Sequence, residues 1–395
     1  MFDLARDHLF PDLTARVYWS FAAISPVSRP VREAIDGWHD RLGREGFTAF
    51  GAAMEAREAL RGELAALLGG AAESYGLVQG TTAGITALAR SIRWRPGERV
   101  MLFDDEFPAN TVPWIEAARE HRLGIDTVPL ARFAQGPAPG LEAVDALLRR
   151  GGTRLVAASA VEFQSGLRMP LGELAELCHR HGALLAVDAI QAAGLVPLDL
   201  AALGVDLAVG GGHKWLLGVV GAGWVYVAPE AREAIGTAMS GWLSFEHGAD
   251  FLFEPGRLHT VRAHLAAPRG FEGGSTSTAA AFAMLEGVRL CRRAGPTASL
   301  EHVQALHDRV EPTLIALGFT SERAPSPAGR SGILAARPPA GVPLGALQKA
   351  LFRRGVIVSI PDGRLRLAPH FVSTVAEAEH LVTVLPEALA EVRAP

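Results

Sequence analysis

Apolar runs and amphipathic stretches alternate along the chain from about residue 50. The stretch AAMEAREALRGELAALLGG places Leu60, Leu64 and Leu67 at helical spacing and ends in two glycines. The stretches LEAVDALLRR and LGELAELCHRHG also predict helices, whereas ERVMLFDDE, RLVAASAV, ALLAVDAI and AGWVYVAPE predict strands. Strands that are apolar on both faces and separated by helices favour a mostly parallel sheet covered on both sides. In such sheets, ligands bind beyond the carboxyl ends of the strands.

The pattern changes after about residue 270. The helical stretch LEHVQALHDRVEPTLIALG is followed by Pro-rich loops, by the short strands SGILAARP, GVIVSI and RLRLAP, and by the final helix TVAEAEHLVTVLPEALAEV. We therefore predict a large α/β domain over residues 19–268. Residues 1–18 and 269–395 are predicted to form a smaller α+β domain.

Composition narrows the class of protein. Apolar residues make up 49% and charged residues 20% of 395 positions, which is enough for a sizeable core. The net charge of −4, without a dense basic run, argues against nucleic acid or an anionic membrane as the main partner. No run is long enough to span a bilayer, and the first residues lack the apolar core of a signal peptide, so a cytoplasmic protein is expected. Two cysteines provide neither a disulfide framework nor a cysteine-built zinc site.

One lysine stands in an unusual setting. Of the 38 basic residues only Lys214 and Lys349 are lysines, and Lys214 lies in the Gly-rich, otherwise apolar stretch DLAVGGGHKWLLG. Arginine supplies surface charge as well as lysine does, but it cannot lose its proton and form an imine with an aldehyde. The position of Lys214 therefore suggests a chemical role.

Two further features stand at strand ends. Asp188 ends the apolar strand ALLAVDAI, where an ionised carboxylate needs a partner, and Gln191 follows three residues later. In LVQGTTAGITALAR, Gly80, Thr81 and Thr82 directly precede a helical run, so hydroxyls and free amides are available to a phosphate. Each feature also has an ordinary interpretation. Asp188 can cap a strand, and a threonine can cap a helix.

Other ligand motifs are weaker. His179 and His181 in CHRHG stand at a helix end before Gly182, where cations and a glycine cap are expected, so no metal site is predicted. GAGWVYV lacks the third glycine of a dinucleotide fingerprint, and GGGHKW lacks the spacing of a P-loop. These two departures argue against a nucleotide-dependent enzyme.

A phosphate cup, a strand-end aspartate and a Gly-rich turn with a lysine are together what pyridoxal 5′-phosphate needs for its phosphate, ring nitrogen and aldehyde. The segment AVDAIQAAG…DLAVGGGHKWLLGVVGAGWVYV resembles the most specific motif of the class V aminotransferase family of fold-type I pyridoxal-phosphate enzymes. That family includes cysteine desulfurases and isopenicillin N epimerase-like proteins. The resemblance extends from about Tyr18 to the C-terminal helix and implies the fold-type I architecture.

The resemblance implies roles at the cofactor. Lys214 would hold the aldehyde as an imine, Asp188 would pair with the ring nitrogen, and Gln191 would reach the phenolic oxygen. His213 would help to hold the phosphate. The family's phosphate cup resembles VQGTTAG, which assigns Gly80, Thr81 and Thr82 to the same group.

Further segments resemble the family more loosely. By that resemblance Phe107 in DDEFPANTVPW would stack on the ring. In SAVEFQSGL, Phe163 fills the position where the family places a polar residue near the ring oxygen, and Gln164 is the candidate substitute for it. Ser275, aided by Thr276, would reach the phosphate of a partner subunit, which implies a homodimer with composite active sites. At the substrate side, Arg364 in DGRLRLAPHF would bind a carboxylate, and Ala22 and Ala23 would line the mouth.

One departure bears on the reaction. Cysteine desulfurases carry a nucleophilic cysteine on a mobile loop before the clamp arginine, whereas SIPDGR leads directly to Arg364 without a cysteine. Cys178 and Cys291 lie in apolar helical contexts, so persulfide chemistry is not expected. We expect an enzyme that abstracts the Cα proton of an amino acid or related amine, foremost a class V aminotransferase. A C–S or C–X β-lyase and an epimerase remain alternatives, and a non-catalytic cofactor-binding protein is a remote one.

The pocket that selects the substrate is not identified by these motifs. The long loop MSGWLSFEHGADFLFEPGRLHTVRAH is a candidate, with Trp242, His247 and His259 as the side chains of interest.

Overall fold

The structure is a computed structural model that describes residues 4–237, 239–258 and 262–393. Its helices are α1 (Arg6–Leu9), α2 (Arg29–Glu45), α3 (Phe50–Leu68), α4 (Thr81–Ser91), α5 (Val112–His121), α6 (Ala138–Leu148), α7 (Leu171–Arg180), α8 (Thr278–Ala294), α9 (Pro296–Ala316), α10 (Leu344–Arg353) and α11 (Val375–Arg393). Its strands are β1 (Val17–Tyr18), β2 (Tyr75–Val78), β3 (Arg99–Phe103), β4 (Gly124–Val128), β5 (Thr153–Ser159), β6 (Leu184–Asp188), β7 (Leu207–Gly211), β8 (Gly223–Val227), β9 (Thr320–Ser321), β10 (Leu334–Arg337), β11 (Val356–Ile357) and β12 (Leu365–Leu367).

A seven-stranded sheet in the order β2-β8-β7-β6-β5-β3-β4 forms the centre of the large unit. Strand β8 runs antiparallel to both of its neighbours, and the remaining neighbours pair in parallel. Strands β7 and β8 are buried along their whole length, which explains why their sequences do not alternate between apolar and polar residues. The prediction of a mostly parallel sheet with covering helices is therefore confirmed, and the fold is the α/β fold of type I.

Helix α4 lies close to the sheet because of a glycine. A Cβ atom at Gly84 would come within 3.0 Å of side-chain atoms of Val209 on β7 and Val225 on β8. Real Cβ contacts are seldom that short, so a larger residue would push the helix away. Because α4 begins at Thr81, the approach at Gly84 brings its N-terminus to the carboxyl ends of the parallel strands.

The smaller unit has its own core. Strands β12-β10-β9 form an antiparallel sheet, and β1 pairs in parallel with β11. Leu306, Leu334, Leu351 and Leu381 belong to a buried cluster separate from the main core. The N-terminal strand therefore packs with the C-terminal part of the chain.

Helix α8 departs from the expected division at residue 268. Its buried residues Met284, Val288 and Cys291 belong to the core of the large unit, and the helix packs against α2 and α3. An amphipathic helix can bury its apolar face against either domain, so the sequence pattern does not assign it. Helix α9, by contrast, places Leu306, Val310 and Leu314 in the separate cluster of the smaller unit.

Candidate active site

Asp188 lies at the carboxyl end of β6 and is 3% exposed. Its Oδ1 accepts a hydrogen bond of 2.9 Å from the N–H of Ile190. Burial raises the pKa of Asp188 to about 6, while the hydrogen bond from Ile190 and the positive charge of Lys214 act in the opposite direction. A buried carboxyl group with a raised pKa ionises more easily when a cation lies next to it, because a lone carboxylate is costly in an apolar setting.

Lys214 follows β7, the neighbouring strand, and lines the same cavity of about 620 Å³ as Asp188. Burial lowers the pKa of Lys214 to about 8, Asp188 opposes this lowering and the charge of Arg366 adds to it. The Nζ atom lies 5.7 Å from the centroid of the Phe107 ring. A lysine amine with a lowered pKa is a better nucleophile and base near neutral pH than an exposed one.

The N-terminus of α4 forms an anion cup at the same cavity. Gly80 adopts φ 156° and ψ 178°, a conformation restricted to glycine, and no side chain caps the helix. Thr81 is 7% exposed, and its buried Oγ1 has no hydrogen-bond partner among the described residues. Thr82 is exposed, and it lines the cavity together with Gly80 and Thr81. Uncapped N–H groups and an unpaired hydroxyl are what a phosphate group satisfies.

His213 lines the same cavity as this cup and Lys214. A Cβ atom at Gly211 would lie 3.2 Å from both Thr81 Oγ1 and His213 Nδ1, so a side chain at this position would crowd both groups. Burial, together with the charge of Lys214, lowers the pKa of His213.

The orientation of the Gln191 amide follows from its neighbours. Its Oε1 accepts a hydrogen bond of 2.8 Å from Trp215 Nε1, which can only donate. Its Nε2 donates to the carbonyl of Ala22 at 3.1 Å, and a carbonyl can only accept. The second N–H of Nε2 remains for a group in the cavity, which Gln191 lines. Gln191 is therefore placed as a hydrogen-bond donor to an oxygen ligand.

Two aromatic rings and small side chains form the rest of the wall. Phe107 is 44% exposed and meets Phe163 edge to face, with ring centroids 5.2 Å apart. Ala22, Ala23 and Pro361 line the same cavity. The predicted mouth residues Ala22 and Ala23 are thus at the cavity, and its wall beside them is largely apolar.

Arg366 is the arginine that lines this cavity. Its Nε donates to Ser359 Oγ at 2.9 Å, and its Nη1 donates to the carbonyl of Phe163 at 2.6 Å. Burial lowers the pKa of Arg366 to about 10, and the negative charge of Glu162 opposes the lowering. Arg366 therefore remains a cation at neutral pH and stands beside Lys214.

Arg364, the predicted carboxylate clamp, is placed differently. Its Nε donates to Glu322 at 2.6 Å, and its Nη1 donates to the backbone and side-chain oxygens of Asp362. Together with Gln164 it lines a neighbouring cavity of about 450 Å³ instead of the cavity of Lys214. The structure thus brings neither Arg364 nor Gln164 to the site. The sequence places two arginines in RLRL, and nothing in that pattern tells which of them reaches the cavity.

The family model described as Aminotransferase class-V matches residues 17–364. The chain belongs to the class-V aminotransferase family. The family depends on pyridoxal phosphate, and this chain is accordingly a pyridoxal-phosphate-dependent enzyme that acts on an amino acid or a related amine.

Curated relatives of this class-V protein carry several activities. It is 27% identical over 379 residues to the uncharacterized aminotransferase YcbU of Bacillus subtilis, with 95% of each chain covered. It is 28% identical over 338 residues to isopenicillin N epimerase of Streptomyces clavuligerus, with 82% of each covered. A cysteine desulfurase of Klebsiella pneumoniae is 30% identical over 334 residues, covering 79% of this chain and 76% of the relative.

Solved structures support the fold. The cystine C–S lyase C-DES, in complex with its product cysteine persulfide, superposes with a TM-score of 0.84 at 23% identity, covering 95% of this chain and 98% of that chain. The apo cysteine desulfurase of Thermococcus onnurineus superposes with a TM-score of 0.82 at 20% identity, covering 95% of each chain.

The class-V site residues fit the cofactor chemically. The uncapped α4 with the unpaired Thr81 hydroxyl suits a phosphate, and the buried carboxyl of Asp188 suits a protonated ring nitrogen. The amine of Lys214 suits the aldehyde. Strand ends of one mostly parallel sheet bring these three groups together from distant parts of the sequence.

The two cysteines lie away from this cavity. Both are buried, and burial raises the pKa of Cys178 to about 12 and also raises that of Cys291. The thiol of Cys291 is 3.2 Å from the carbonyl of Trp215. Buried thiols with raised pKa values are poor nucleophiles.

Other predicted contacts lie outside the cavity of this chain. Ser275 is exposed and precedes α8, so its contact with a partner's phosphate stays a prediction. Trp242 packs against Phe251, and His247 lies 3.3 Å from Asp250. His259 lies outside the described residues.

No metal centre or membrane span is found in the part of the chain that the structure describes. Within residues 4–237, 239–258 and 262–393, no group of three or more His, Cys, Asp or Glu side chains could hold a metal ion. His179 and His181, which sequence spacing raised as metal ligands, pair with Asp206 and Asp145 respectively. No described helix is long and apolar enough to cross a membrane.

Proposed function

We propose that the protein is an aminotransferase-like enzyme that acts on α-amino acids with one carboxylate near the reacting carbon. The observation that carries this proposal is the shared cavity of Lys214, Asp188 and Arg366. One amine, one buried carboxyl group and one buried guanidinium group correspond to the base, the ring partner and the substrate anchor that such a reaction needs.

The ring partner is Asp188. When bound, pyridoxal phosphate supplies an aldehyde that binds amines and a ring that accepts the electron pair left by the departing Cα proton. The role of Asp188 is to keep a proton on the ring nitrogen. Burial raises the pKa of Asp188, because a carboxylate is costly in an apolar setting without a cation next to it. The protonated ring nitrogen would be that cation. The predicted role of Asp188 is thus supported by its burial and by its position beside Lys214.

Lys214 is the proposed general base. Its lowered pKa of about 8 leaves a substantial neutral fraction of the amine at slightly alkaline pH. The Phe107 ring near Nζ is a hydrocarbon and can neither donate nor accept a proton. On this side of the cavity Lys214 is therefore the group that can transfer one. The cup of Gly80, Thr81 and Thr82 and the neighbouring His213 would hold the phosphate, and Gln191 would donate to the phenolic oxygen.

Arg366 is the proposed substrate anchor in place of Arg364. Two of its nitrogens are held by Ser359 and by the Phe163 carbonyl, which fixes the guanidinium plane. A carboxylate bound there would present the substrate Cα to the cavity that Lys214 lines. The apolar wall of Phe107, Phe163 and Pro361 favours a substrate with an apolar or uncharged side chain.

β-Elimination is the second candidate reaction. It begins with the same removal of the Cα proton by Lys214 and differs in the substrate, which must carry a leaving group on Cβ. The cavity lining among the described residues contains no cysteine, so sulfur release would yield a keto acid and ammonia instead of alanine and a protein persulfide. Epimerisation needs a second acid on the opposite side of Cα, and no lining residue beyond His213 offers one in the described chain.

The proposed assembly is a homodimer. Its support is the resemblance of GGSTST to the segment that contacts a partner's phosphate, together with the exposure of Ser275 in this chain.

The experiment that tests the function starts from the purified protein loaded with pyridoxal phosphate. Borohydride reduction and peptide mass mapping should place the label on Lys214 and not on Lys349. A panel of L-amino acids should then be scored for keto acid, ammonia, sulfide, alanine and inverted enantiomer. Keto acid formed together with an aminated cofactor supports transamination, and keto acid formed with ammonia supports elimination. A label on Lys349, or alanine formed in step with a protein persulfide, contradicts the proposal.

A further inference from the structure

Glu106 is a partly buried acid next to the cofactor site that the proposed reaction does not use. It lies in the short loop after β3 and directly precedes Phe107, the ring that faces Lys214. Two aspartates, Asp104 and Asp105, precede it on the same loop and are exposed. The acid at position 106 therefore differs from its neighbours in its surroundings.

Both carboxylate oxygens of Glu106 bind one residue on another strand. Oε1 accepts a hydrogen bond of 2.7 Å from the N–H of Ser159, and Oε2 accepts one of 2.6 Å from its hydroxyl. This two-point contact joins the loop that carries Phe107 to the end of β5. Hydrogen bonds to charged groups are stronger than neutral ones, so the contact restricts the loop firmly.

Ser159 in turn lies beside Asp188. The two residues are register partners at the ends of the parallel strands β5 and β6. The N–H of Ala160, the next residue, donates to the carbonyl of Asp188 at 2.8 Å. A continuous path of hydrogen bonds and strand pairing thus leads from Glu106 to the backbone of Asp188.

The charged and polar groups that act on Glu106 come from three elements. Burial raises the pKa of Glu106 to about 7, the hydrogen bonds of Ser159 oppose this, the negative charge of Asp188 adds to it, and Asn110 opposes it. Asn110 is 2% exposed, and its Oδ1 accepts a hydrogen bond from Trp114. The raised pKa of Glu106 thus has its main cause in burial, with the charge of Asp188 as a further cause.

We propose that Glu106 is a positioning residue that fixes the distance between the Phe107 ring and the Asp188 carboxyl, and so sets the slot that holds the cofactor ring. The inference rests on the proposed roles of Phe107 and Asp188 as ring contacts. It adds a residue that touches neither the cofactor nor the substrate and acts through Ser159.

The test compares Glu106→Ala with Glu106→Gln in the full chain. Glutamine preserves the geometry, because its Oε1 accepts from the Ser159 N–H and its Nε2 donates to the Ser159 hydroxyl. Alanine removes both contacts. Glu116→Ala is the matched control, since Glu116 is an exposed glutamate on α5. The readouts are the dissociation constant of pyridoxal phosphate for the cofactor-free protein and the circular dichroism of the bound cofactor, which reports ring orientation.

The Ala variant should bind the cofactor about tenfold or more weakly and show reduced cofactor dichroism, because about 1.4 kcal/mol corresponds to tenfold. The dissociation constant of the Gln variant should stay within about threefold of the wild-type value, and that of the Glu116→Ala control should equal the wild-type value.

Wild-type affinity and dichroism in the Ala variant would overturn the proposal, and so would a Gln variant as impaired as the Ala variant. If the Ala variant does not fold, Ser159→Ala, which removes the hydroxyl that donates to Glu106 Oε2, takes its place and should weaken cofactor binding relative to the Glu116 control. Failure of the proposed function is distinguishable, since the wild-type protein would then not bind pyridoxal phosphate at Lys214.

Discussion

Arg366 and Arg364 stand two residues apart on one strand segment and have different surroundings. Arg366 lines the cavity of Lys214, whereas Arg364 is held by Glu322 and Asp362. A substrate carboxylate bound to a guanidinium contributes about 1.5–3 kcal/mol. Arg366→Ala should therefore lower kcat/KM for α-amino acids by about ten- to a hundredfold. Steady-state kinetics with amino acids and with matched amines that lack the carboxylate measures this effect.

The amines provide the internal control for this prediction, because their rates should change little in Arg366→Ala. Arg364→Ala should have the smaller effect of the two on amino acids. Either an equal loss for the amines or a larger loss in Arg364→Ala would remove Arg366 as the anchor.

Most of the candidate site follows from the sequence at the scale of residues. The rule that ligands collect at strand ends unites Asp188, Lys214 and the Thr81 cup, and the structure places all three at one cavity. The substrate anchor does not follow from it. Arg364 and Arg366 are equivalent in charge, and the ion pairs of Arg364 with Glu322 and Asp362, which distinguish them, are visible only in the structure. Gln164 is one residue beyond Phe163, and the turn at residues 162–165 directs it to the neighbouring cavity.

A buried charge cluster anchors the segment that leads to Ser275. Glu272 accepts hydrogen bonds from Arg57 and Arg61 on α3 and from the N–H of Leu77 on β2. Burial opposes ionisation of Glu272, but the two guanidinium groups outweigh it and lower the pKa of this carboxyl. The glutamate thus connects the segment after Pro268 to both a helix and the central sheet.

Removal of Glu272 should leave the buried Arg57 without its counter-charge and Arg61 with only the exposed carboxylate of Glu58. Glu272→Ala is expected to lower the free energy of unfolding by about 3–5 kcal/mol. Glu58→Ala is the matched control, because Glu58 pairs with the same Arg61 from a side chain that is 51% exposed and should cost about 1 kcal/mol or less. Urea unfolding of both variants measures the difference. Equal costs for the two glutamates would show that burial of the cluster is not what stabilises the segment.

Sequence patterns predict the type of a secondary structure element but not the direction in which a strand runs in its sheet. The sequence predicts strands β5 and β6 and helices α6 and α7. Apolar residues form short continuous runs in the buried strands and recur at helical spacing in the helices, so the two kinds of element can be told apart. A fully buried strand looks the same in either direction, so the reversal of β8 is invisible in GWVYV. Helix α2 was not predicted, since its buried residues are few, namely Pro30, Val31 and Trp38, and its mean hydropathy is low.

The assembly of the whole molecule is tested through Ser275. If its hydroxyl binds the phosphate of a second subunit, Ser275→Ala removes one hydrogen bond to a charged group and should weaken cofactor retention by about tenfold or more. Thr383→Ala, which removes an exposed hydroxyl on α11, is the control and should have no effect. Sedimentation and cofactor affinity should be measured on the same samples. A monomer with full activity would contradict the composite site.

Acid sensitivity is a property of the whole fold and is concentrated in buried histidines. His307 is fully buried beside Trp19 in the core of the smaller unit, and His370 is fully buried with its Nε2 2.9 Å from the carbonyl of Trp215. Burial, aided by the charge of Arg323, lowers the pKa of His307 to about 3, and burial lowers that of His370 to about 4. Both residues are therefore neutral in the folded protein throughout the pH range of ordinary assays.

The sign of the pH effect follows from proton counting. Below pH 6.5 the unfolded chain binds a proton at His307 that the folded chain does not bind, so stability falls as the pH falls from about 6.5 towards 3. Between pH 8 and pH 5 this single group should lower the free energy of unfolding by about 2 kcal/mol. Buried carboxyl groups with raised pKa values, such as Asp188 and Glu106, act in the opposite direction, but they are common to a wild type and a histidine variant.

The difference between variants therefore isolates the histidine. In His307→Phe, the decrease in unfolding free energy between pH 8 and pH 5 should be smaller than in the wild type by about 2 kcal/mol. His121→Gln, which changes an exposed histidine at the end of α5, should retain the wild-type decrease. Urea unfolding of the cofactor-free proteins at the two pH values provides the measurement, because cofactor binding would add its own pH dependence. An unchanged decrease in His307→Phe would mean that His307 gains its proton without unfolding, which its complete burial beside Trp19 argues against.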